Sequence, residues 1–283
     1  MSYRIDELMI CRIAREVDDS GVTVLGSFTP LAYASYMLAK MTHAPDAPLI
    51  GYNAIGMRPV ELSLTGAEAA AYKGAAAHWT FIENTQTVHL GGRGLVECVS
   101  PAQMDGTGAF NTSVIGDYDR PKVRLPGGTG SPEVVQNYEK IIAYFGTHSK
   151  RTLVEKVDFA TGGRYPVSPE ARRERGLLVG PVRIITPLAV LIKEHDNEDF
   201  RIETLHPGIA VSEVVENTGF ALTVPEDIPT TEVPSEEQLD LLRNLIDPFG
   251  TSQFDFLDSR ARASYIDDIL RREWDRAEAL PDE

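Results

Sequence analysis

The chain has 283 residues, with 42 acidic and 27 basic side chains and a formal net charge of −15. A surface of this charge repels phosphate backbones and anionic lipid headgroups, which argues against a nucleic-acid or membrane partner. The composition, 42% hydrophobic and 24% charged, is typical of a globular protein whose core needs neither a disulfide nor a metal.

Cysteine usage and the first residues of the chain bear on where the protein works. The two cysteines, Cys11 and Cys98, form neither a disulfide framework nor a zinc-binding spacing, which fits a reducing compartment. The N-terminal residues lack the basic and then apolar pattern of a signal peptide, and no apolar stretch approaches the roughly 18 residues that cross a bilayer. We therefore expect a cytoplasmic protein without a metal site.

The N-terminal part of the chain alternates between helical and strand patterns. Thr29 and Pro30 are typical of the N-cap and first position of a helix. Helix, strand, helix, strand in this order indicates a parallel sheet with crossover helices. The predicted elements are a helix over 5–17, a strand over 22–25, a helix from 30 to 40 and a strand over 49–51.

The alternation continues through the middle of the chain. A glycine turn, residues 127–130, precedes Ser131-Pro132-Glu133, which opens a helix predicted to end near Phe145. The two strands predicted over 189–192 and 201–205 look like a short antiparallel addition. The fold class predicted is α/β, with an open, mostly parallel sheet, crossover helices and a C-terminal helical extension. The further strands cover 95–99, 112–115, 122–125, 152–157, 182–185, 189–192 and 201–205, and a helix covers 212–216.

The C-terminal part of the chain has a different composition. Residues 224–234 are acidic and proline-rich and are predicted to form a surface linker before a leucine-rich helix capped by Ser235. A charged helix over 259–280 carries an apolar stripe that docks either on the body of this chain or on a partner subunit. We therefore predict an α/β domain, residues 1–225, and an acidic linker with C-terminal helices, residues 226–283.

The segment most informative about function is residues 108–130, GAFNTSVIGDYDRPKVRLPGGTG. Two strands flank a polar turn, and the second ends in Gly127, Gly128 and Gly130, just before a helix. Glycines let a ligand approach the backbone, and a helix N-terminus offers N–H groups to an anion or a developing oxyanion. The alternative is a tight turn without a ligand. An anion would also need basic side chains, for which the candidates are Arg120, Lys122, Arg124, Lys150 and Arg151.

This segment closely resembles the β subunits of the family I coenzyme A transferases, above all the glutaconate type. Similar stretches follow at 150–159, 184–190 and 205–208. The resemblance implies an open α/β fold, an α-type partner subunit in an αβ or α2β2 complex, and an active site at the subunit interface. It implies an acyl-CoA thioester as substrate and no further cofactor. The residues then expected to bind substrate and CoA are Gly51, Gly127, Gly128, Gly130 and Arg124.

The resemblance breaks at the catalytic residue. Transferases of this family carry a glutamate after an early strand, in a Ser-Glu-Asn-Gly or Glu-x-Gly-x-x-Gly motif, and its carboxylate attacks the thioester. The corresponding stretch here is residues 51–56, GYNAIG. Aligned on Gly56 the glutamate falls on Gly51, and aligned on Asn53 it falls on Tyr52. Neither residue can be acylated as a carboxylate is.

Three explanations are open. In the first, Glu83, or less readily Glu61, enters the site, and the chain is part of an authentic transferase of the glutaconate or 3-oxoacid type. In the second, the partner supplies the acid, as in the ring-opening hydrolases of bacterial steroid degradation, which this chain also resembles in its leucine-rich helix. Tyr52 and Asn53 would then be polar groups at the emptied position. In the third, the chain is a non-catalytic partner of the α subunit. We expect the second, a hydrolytic ring opening.

Overall fold

A computed structural model describes residues 2–24, 26, 29–51, 54–58, 61–62, 75–80, 82–83, 95–128, 130–164 and 167–278. Nine strands of this part form one sheet, and two short hairpins lie outside it. In chain order the strands are β1 (Val22–Val24), β2 (Leu49–Ile50), β3 (Ala54–Ile55), β4 (Ala77–His78), β5 (Leu95–Val99), β6 (Gln103–Met104), β7 (Phe110–Asn111), β8 (Val114–Gly116), β9 (Pro121–Arg124), β10 (Lys140–Tyr144), β11 (Val182–Ile185), β12 (Ala189–Lys193) and β13 (Arg201–Leu205).

The strand order of the main sheet is β13-β12-β11-β10-β5-β1-β2-β3-β4. The central strands, from β11 to β2, are parallel to one another. The two strands at each edge run antiparallel to their neighbours. The prediction of an open, mostly parallel sheet with a late antiparallel addition is therefore confirmed. Because the central strands point the same way, their carboxyl ends meet at one edge of the sheet.

Helices cover both faces of the sheet. α1 and α2 pack on one face, in a core that includes Val96 and Cys98 of β5. α3, α5 and the β6–β7 hairpin pack on the other face, around Phe110 and Tyr138. The α-helices of the described residues are α1 (Ile5–Ala14), α2 (Pro30–Met41), α3 (Ser131–Asn137), α4 (Pro169–Glu174), α5 (Val211–Asn217), α6 (Glu236–Leu241) and α7 (Ser259–Glu278).

Two predicted elements have the wrong type. The helix predicted to reach Phe145 ends at Asn137, and the residues after it form the central strand β10, which is almost entirely buried. A strand buried on both faces is continuously apolar, and that pattern does not distinguish it from a buried helical turn. Residues 152–157 form turns rather than a strand, with Leu153 in an isolated bridge to Met104.

The C-terminal segment packs against the α/β body. α6 continues into a π-helical turn (Leu242–Ile246) that joins the core of α1 and α2. A 3₁₀ helix (Thr251–Phe256) then lies over the end of β10. There the carbonyl oxygen of Asp255 is 2.0 Å from the position that a β-carbon on Gly146 would take. In α7, Ile269 is buried whereas Trp274 is exposed. The domain boundary at residue 225 stays a prediction.

Candidate active site at the carboxyl edge of the sheet

Three neighbouring strands, β5, β1 and β2, run to the same edge of the sheet. Val24 of β1 lies beside Glu97 of β5 on one side and Ile50 of β2 on the other. Gly26 lies just beyond β1, and Gly51 directly follows β2. In open parallel sheets, ligands bind in the crevice at the carboxyl ends of the strands. This edge is therefore the candidate active site.

One of the two positions that align with the family's catalytic glutamate is Gly51, which is buried at the end of β2. The N–H of Gly51 donates to the carbonyl oxygen of Ala54 at 2.9 Å, which closes the turn between β2 and β3. Because Gly51 has no side chain, this position offers no carboxylate. Tyr52 and Asn53 lie outside the described residues, so the role expected for them as polar groups of the site stays a prediction.

The glycine turn after β9 is held by hydrogen bonds to Thr112. Gly127 has a φ of 103°, in the left-handed region that favours glycine. Its N–H donates to the carbonyl oxygen of Thr112 at 2.8 Å, and its own carbonyl oxygen accepts the Thr112 hydroxyl at 2.9 Å. A β-carbon on Gly128 would lie 2.8 Å from Cγ2 of Thr161. The N–H of Gly127 is thus used within the protein, whereas the N–H of Gly128 bonds to no described residue and can serve a ligand.

Hydrogen bonds between polar side chains and the backbone fix the segment that precedes this turn. Asn111 is fully buried, and its amide nitrogen donates to Oε1 of Gln103 at 2.8 Å. The next residue, Thr112, donates its N–H to Oγ1 of Thr161 at 3.0 Å. The Asn-Thr pair that carries much of the sequence resemblance therefore fixes the segment that holds Gly127. As predicted, a helix, α3, begins directly after Gly130.

Arg124 lies at the exposed end of β9. Its guanidinium carbon is 5.0 Å from the centroid of the Tyr118 ring, and Nη2 donates to the Tyr118 carbonyl oxygen at 3.0 Å. Tyr118 in turn stacks on Phe159 with 5.1 Å between ring centroids. The stack orients a cation at the surface, where it remains accessible to a phosphate group. Its assignment to CoA binding stays a prediction.

The two glutamates considered as replacement nucleophiles already have protein partners. Glu83 is exposed and accepts hydrogen bonds from the N–H of Thr80 at 2.7 Å and from its hydroxyl at 3.0 Å. These bonds hold the pKa of Glu83 below its ordinary value. Glu61 forms an ion pair with Arg276 of α7 at 2.7 Å. Their assignment as nucleophiles stays a prediction.

Glu97 was not among the predicted site residues, yet its carboxyl group lies near this edge. The residue is 8% exposed, and burial raises its pKa to about 8. Oε1 lies 3.5 Å from the position that a β-carbon on Gly26 would take, and Oε2 has no hydrogen-bond partner among the described residues. A sequence signal exists, because Glu97 places a charged residue in the middle of the buried strand sequence LVECV.

Metal-binding and membrane-spanning features are absent from the part of the chain that the structure describes. Within it, no group of three histidine, cysteine, aspartate or glutamate side chains is arranged to hold a metal ion. Every helix in the same ranges is too short or too polar to traverse a lipid bilayer.

Comparisons with known proteins place this geometry in context. A family model described as coenzyme A transferase matches residues 7–217. One of the subunits of the 3-oxoadipate CoA-transferase of Pseudomonas knackmussii is 35% identical over 86% of this chain and 94% of its own length. The cholesterol ring-cleaving hydrolase IpdB subunit of Mycobacterium tuberculosis is 30% identical over 81% of this chain and 89% of its own. Among solved structures, the decarboxylase AibA/AibB matches with a TM-score of 0.78 and 26% identity, over 90% of this chain and 99% of the matched chain.

Proposed function

The chain belongs to the coenzyme A transferase family, and on that premise we propose that it is the β-type member of a two-subunit enzyme acting on acyl-CoA thioesters. The reaction proposed is the hydrolytic cleavage of a carbon–carbon bond in the acyl group. It differs from CoA transfer because water, rather than a second carboxylic acid, takes part.

The observation that carries this proposal is the absence of a carboxylate at the position of the family's glutamate, which falls on Gly51 or on Tyr52. Family transferases need an anionic side chain there, because the acyl group and then CoA are held on it as covalent intermediates. A buried glycine cannot form either intermediate. The resemblance to IpdB subunits, named for ring cleavage by hydrolysis, supports a reaction that uses water. The decarboxylase AibA/AibB is a further relative whose name describes a reaction other than CoA transfer.

Two features of the segment around β9 suit a thioester substrate. The N–H of Gly128, which bonds to no described residue, is a backbone donor of the type that stabilises a developing oxyanion. Arg124 provides an oriented cation at the surface that can bind an anionic portion of CoA. The chain as a whole has a net charge of −15. A local cation matters here, since the field of the whole chain disfavours an anionic ligand.

The partner proposed is an α-type subunit in an αβ or α2β2 complex. The relatives of this chain are themselves named as single subunits of an enzyme or as one member of a pair. The exposed hairpin of β8 and β9, with Val123 and Tyr118 at its surface, offers apolar area for such a contact.

Authentic CoA transfer is the second candidate. It is favoured by the 35% identity to a 3-oxoadipate CoA-transferase chain over most of this protein. It requires Glu83 or Glu61 to leave its present partners and reach the substrate. It also requires ping-pong kinetics and a glutamyl thioester on this chain.

The deciding experiment uses the complex co-expressed with its α subunit. We expect a CoA thioester that carries a cyclic 1,3-diketone to be opened in H₂¹⁸O, with ¹⁸O in the new carboxylate, the thioester intact and no acceptor acid needed. In parallel, the complex is incubated with glutaconyl-CoA and acetate, treated with borohydride and digested for mass spectrometry. An obligatory acceptor together with a reduced glutamate in this chain would contradict the hydrolytic proposal and establish the transferase.

A further inference from the structure

Glu97 occupies an unusual place for a carboxyl group, the middle of a central strand. It pairs with Val24 of β1 on one side and with Ile141 of β10 on the other. Val96 and Cys98 face the core of α1 and α2, so Glu97 faces the opposite layer, because successive side chains alternate across a sheet. That layer contains Phe110 of β7 and Val135 of α3. The glycine turn is tied to the end of β7, since Gly127 bonds to Thr112.

The other buried acids of the described residues all have polar partners. Glu97 differs, since its Oε2 has no hydrogen-bond partner among the residues that the structure describes. An unpaired buried carboxyl costs stability, so its retention needs a reason other than folding. The partnered acids are Asp6 (Arg4), Glu7 (Arg243), Glu16 (Arg12), Asp105 (Thr107), Asp196 (Arg172) and Asp247 (Ser252).

The geometry relates Glu97 to the position where the family's carboxylate is missing. β1 alone separates β5 from β2, and neighbouring strands lie about 4.8 Å apart, so Glu97 and the end of β2 are roughly 10 Å apart. Gly26 lies between them at the end of β1, and a methyl group there would contact Oε1 of Glu97 at 3.5 Å. Because Gly26 has no side chain, no β-carbon there contacts the Glu97 carboxyl group on the side that faces the edge.

We propose that Glu97 is the catalytic acid–base residue of this chain, acting on water and on the carbon released by ring opening. This inference rests on the proposed hydrolytic function. In the first step, the Glu97 carboxylate accepts a proton from water while the water oxygen bonds to a ring carbonyl carbon. The bond from this carbon to the α-carbon then breaks, and its electron pair goes to the α-carbon. Glu97 returns the proton to that carbon, so water is added across the bond and Glu97 ends as it began.

The ionisation of Glu97 suits both steps. Its pKa of about 8 makes the carboxylate and the acid accessible near neutral pH, as an acid–base residue requires. The titratable groups that sense its charge are Tyr36 on α2, Tyr138 before β10 and Cys98 on the same strand. Burial raises the pKa of each of these three far above neutrality, so Glu97 is the group of this cluster that titrates there.

The kinetic test compares variants of the co-expressed complex on the cyclic 1,3-diketone thioester. For the wild type we expect kcat to rise with pH to a plateau above about pH 8, as the carboxylate forms. Glu97→Gln should lower kcat by about 10²- to 10⁴-fold and abolish that rise, while Glu97→Asp should retain part of the activity. Glu216→Gln, which changes an exposed glutamate, is the matched control and should behave as the wild type. A Glu97→Gln complex with wild-type kcat and pH profile overturns the proposal.

An infrared measurement separates this inference from the proposed function. The difference spectrum between the wild-type and Glu97→Gln complexes should contain the carbonyl stretch of a protonated carboxyl that titrates near pH 8. We expect this band to change when the wild-type complex is saturated with an S-alkyl CoA thioether. If the ring of the substrate is not opened and the band still responds, the hydrolytic function fails while the placement of Glu97 at the site stands. A band that does not respond to the thioether overturns that placement.

Discussion

The unpaired carboxyl of Glu97 should make the stability of the protein fall as pH rises. An ordinary glutamate has a pKa of 4.5, whereas burial raises that of Glu97 to about 8. Between these values the folded chain holds a proton that the unfolded chain has released, so the free energy of unfolding decreases with pH by about 1.4 kcal/mol per pH unit. Below pH 4.5 both states are protonated, and this effect is absent.

Glu97→Gln removes the ionisation and keeps the shape of the side chain. We expect it to stabilise the chain relative to the wild type by about 3 kcal/mol at neutral pH, with the difference growing by about 3 kcal/mol from pH 5 to pH 8. Urea unfolding followed by circular dichroism at several pH values measures both quantities.

Glu7→Gln is the matched control, because it should have the opposite sign. Arg243 donates to Glu7 at 2.7 Å, and its hydrogen bond helps to hold the pKa of Glu7 below the ordinary value despite burial. That carboxylate therefore stabilises the fold above pH 4.5 and loses its effect as pH falls through the lower folded pKa. If the difference between Glu97→Gln and the wild type is the same at pH 5 and pH 8, the argument for a buried neutral carboxyl is refuted.

Three further predictions concern stability. Gly146→Ala should lower the free energy of unfolding by about 3 kcal/mol in urea titrations, because its methyl group would meet the backbone of Asp255 at 2.0 Å. Ser235→Ala should cost about 1 kcal/mol in the same assay, since it breaks the capping box in which Ser235 and Gln238 exchange hydrogen bonds of 2.9 and 3.1 Å. Burial lowers the pKa of His206 from 6.5 to about 4, so the neutral ring stabilises the fold above pH 6.5, and that contribution is lost as pH falls towards 4. His206→Gln should weaken this acid sensitivity in thermal melts.

Each of these predictions has a distinct contrary result. Gly176→Ala, at a φ of 72° with open space around it, should cost only about 1 kcal/mol of backbone strain, and an equal loss at Gly146 would contradict the steric argument. Replacement of exposed Glu237 by alanine leaves the capping bonds of α6 in place, so its effect should be smaller than that of Ser235→Ala. An unchanged melting profile of His206→Gln between pH 6.5 and 4 would show that the ring is not held neutral.

Much of the α/β fold can be predicted from the sequence, because the signals that start its elements are local. Pro30 after Thr29 starts α2, and Ser235 starts the C-terminal helix α6, each at the residue predicted. The strand β10 cannot be recognised from local signals, because it is buried by β5 and β11, which lie far away in sequence. A run such as KIIAY has the same apolar pattern whether it closes a helix or fills the centre of a sheet.

The candidate site likewise contains features that can be predicted from the sequence and features that cannot. The loss of the family's carboxylate can be predicted, because both alignments of the motif, on Gly51 and on Tyr52, give a residue without one. Glu97 gives a sequence signal as a charged residue within an apolar strand, but its place at the edge depends on Gly26 and on the register that places β5 beside β1. Likewise, the sequence does not reveal that the N–H of Gly127 is already bonded to Thr112, since that bond joins a residue before β8 to a residue after β9.

The contact between the 3₁₀ helix and Gly146 has a consequence for biosynthesis. The residues that cover the end of β10 leave the ribosome after every strand of the main sheet has been made. Until then, one end of the central strand is exposed to other nascent chains. The sheet can therefore form before the 3₁₀ helix docks. The exposed end of β10 is covered only after residues 251–256 have emerged from the ribosome.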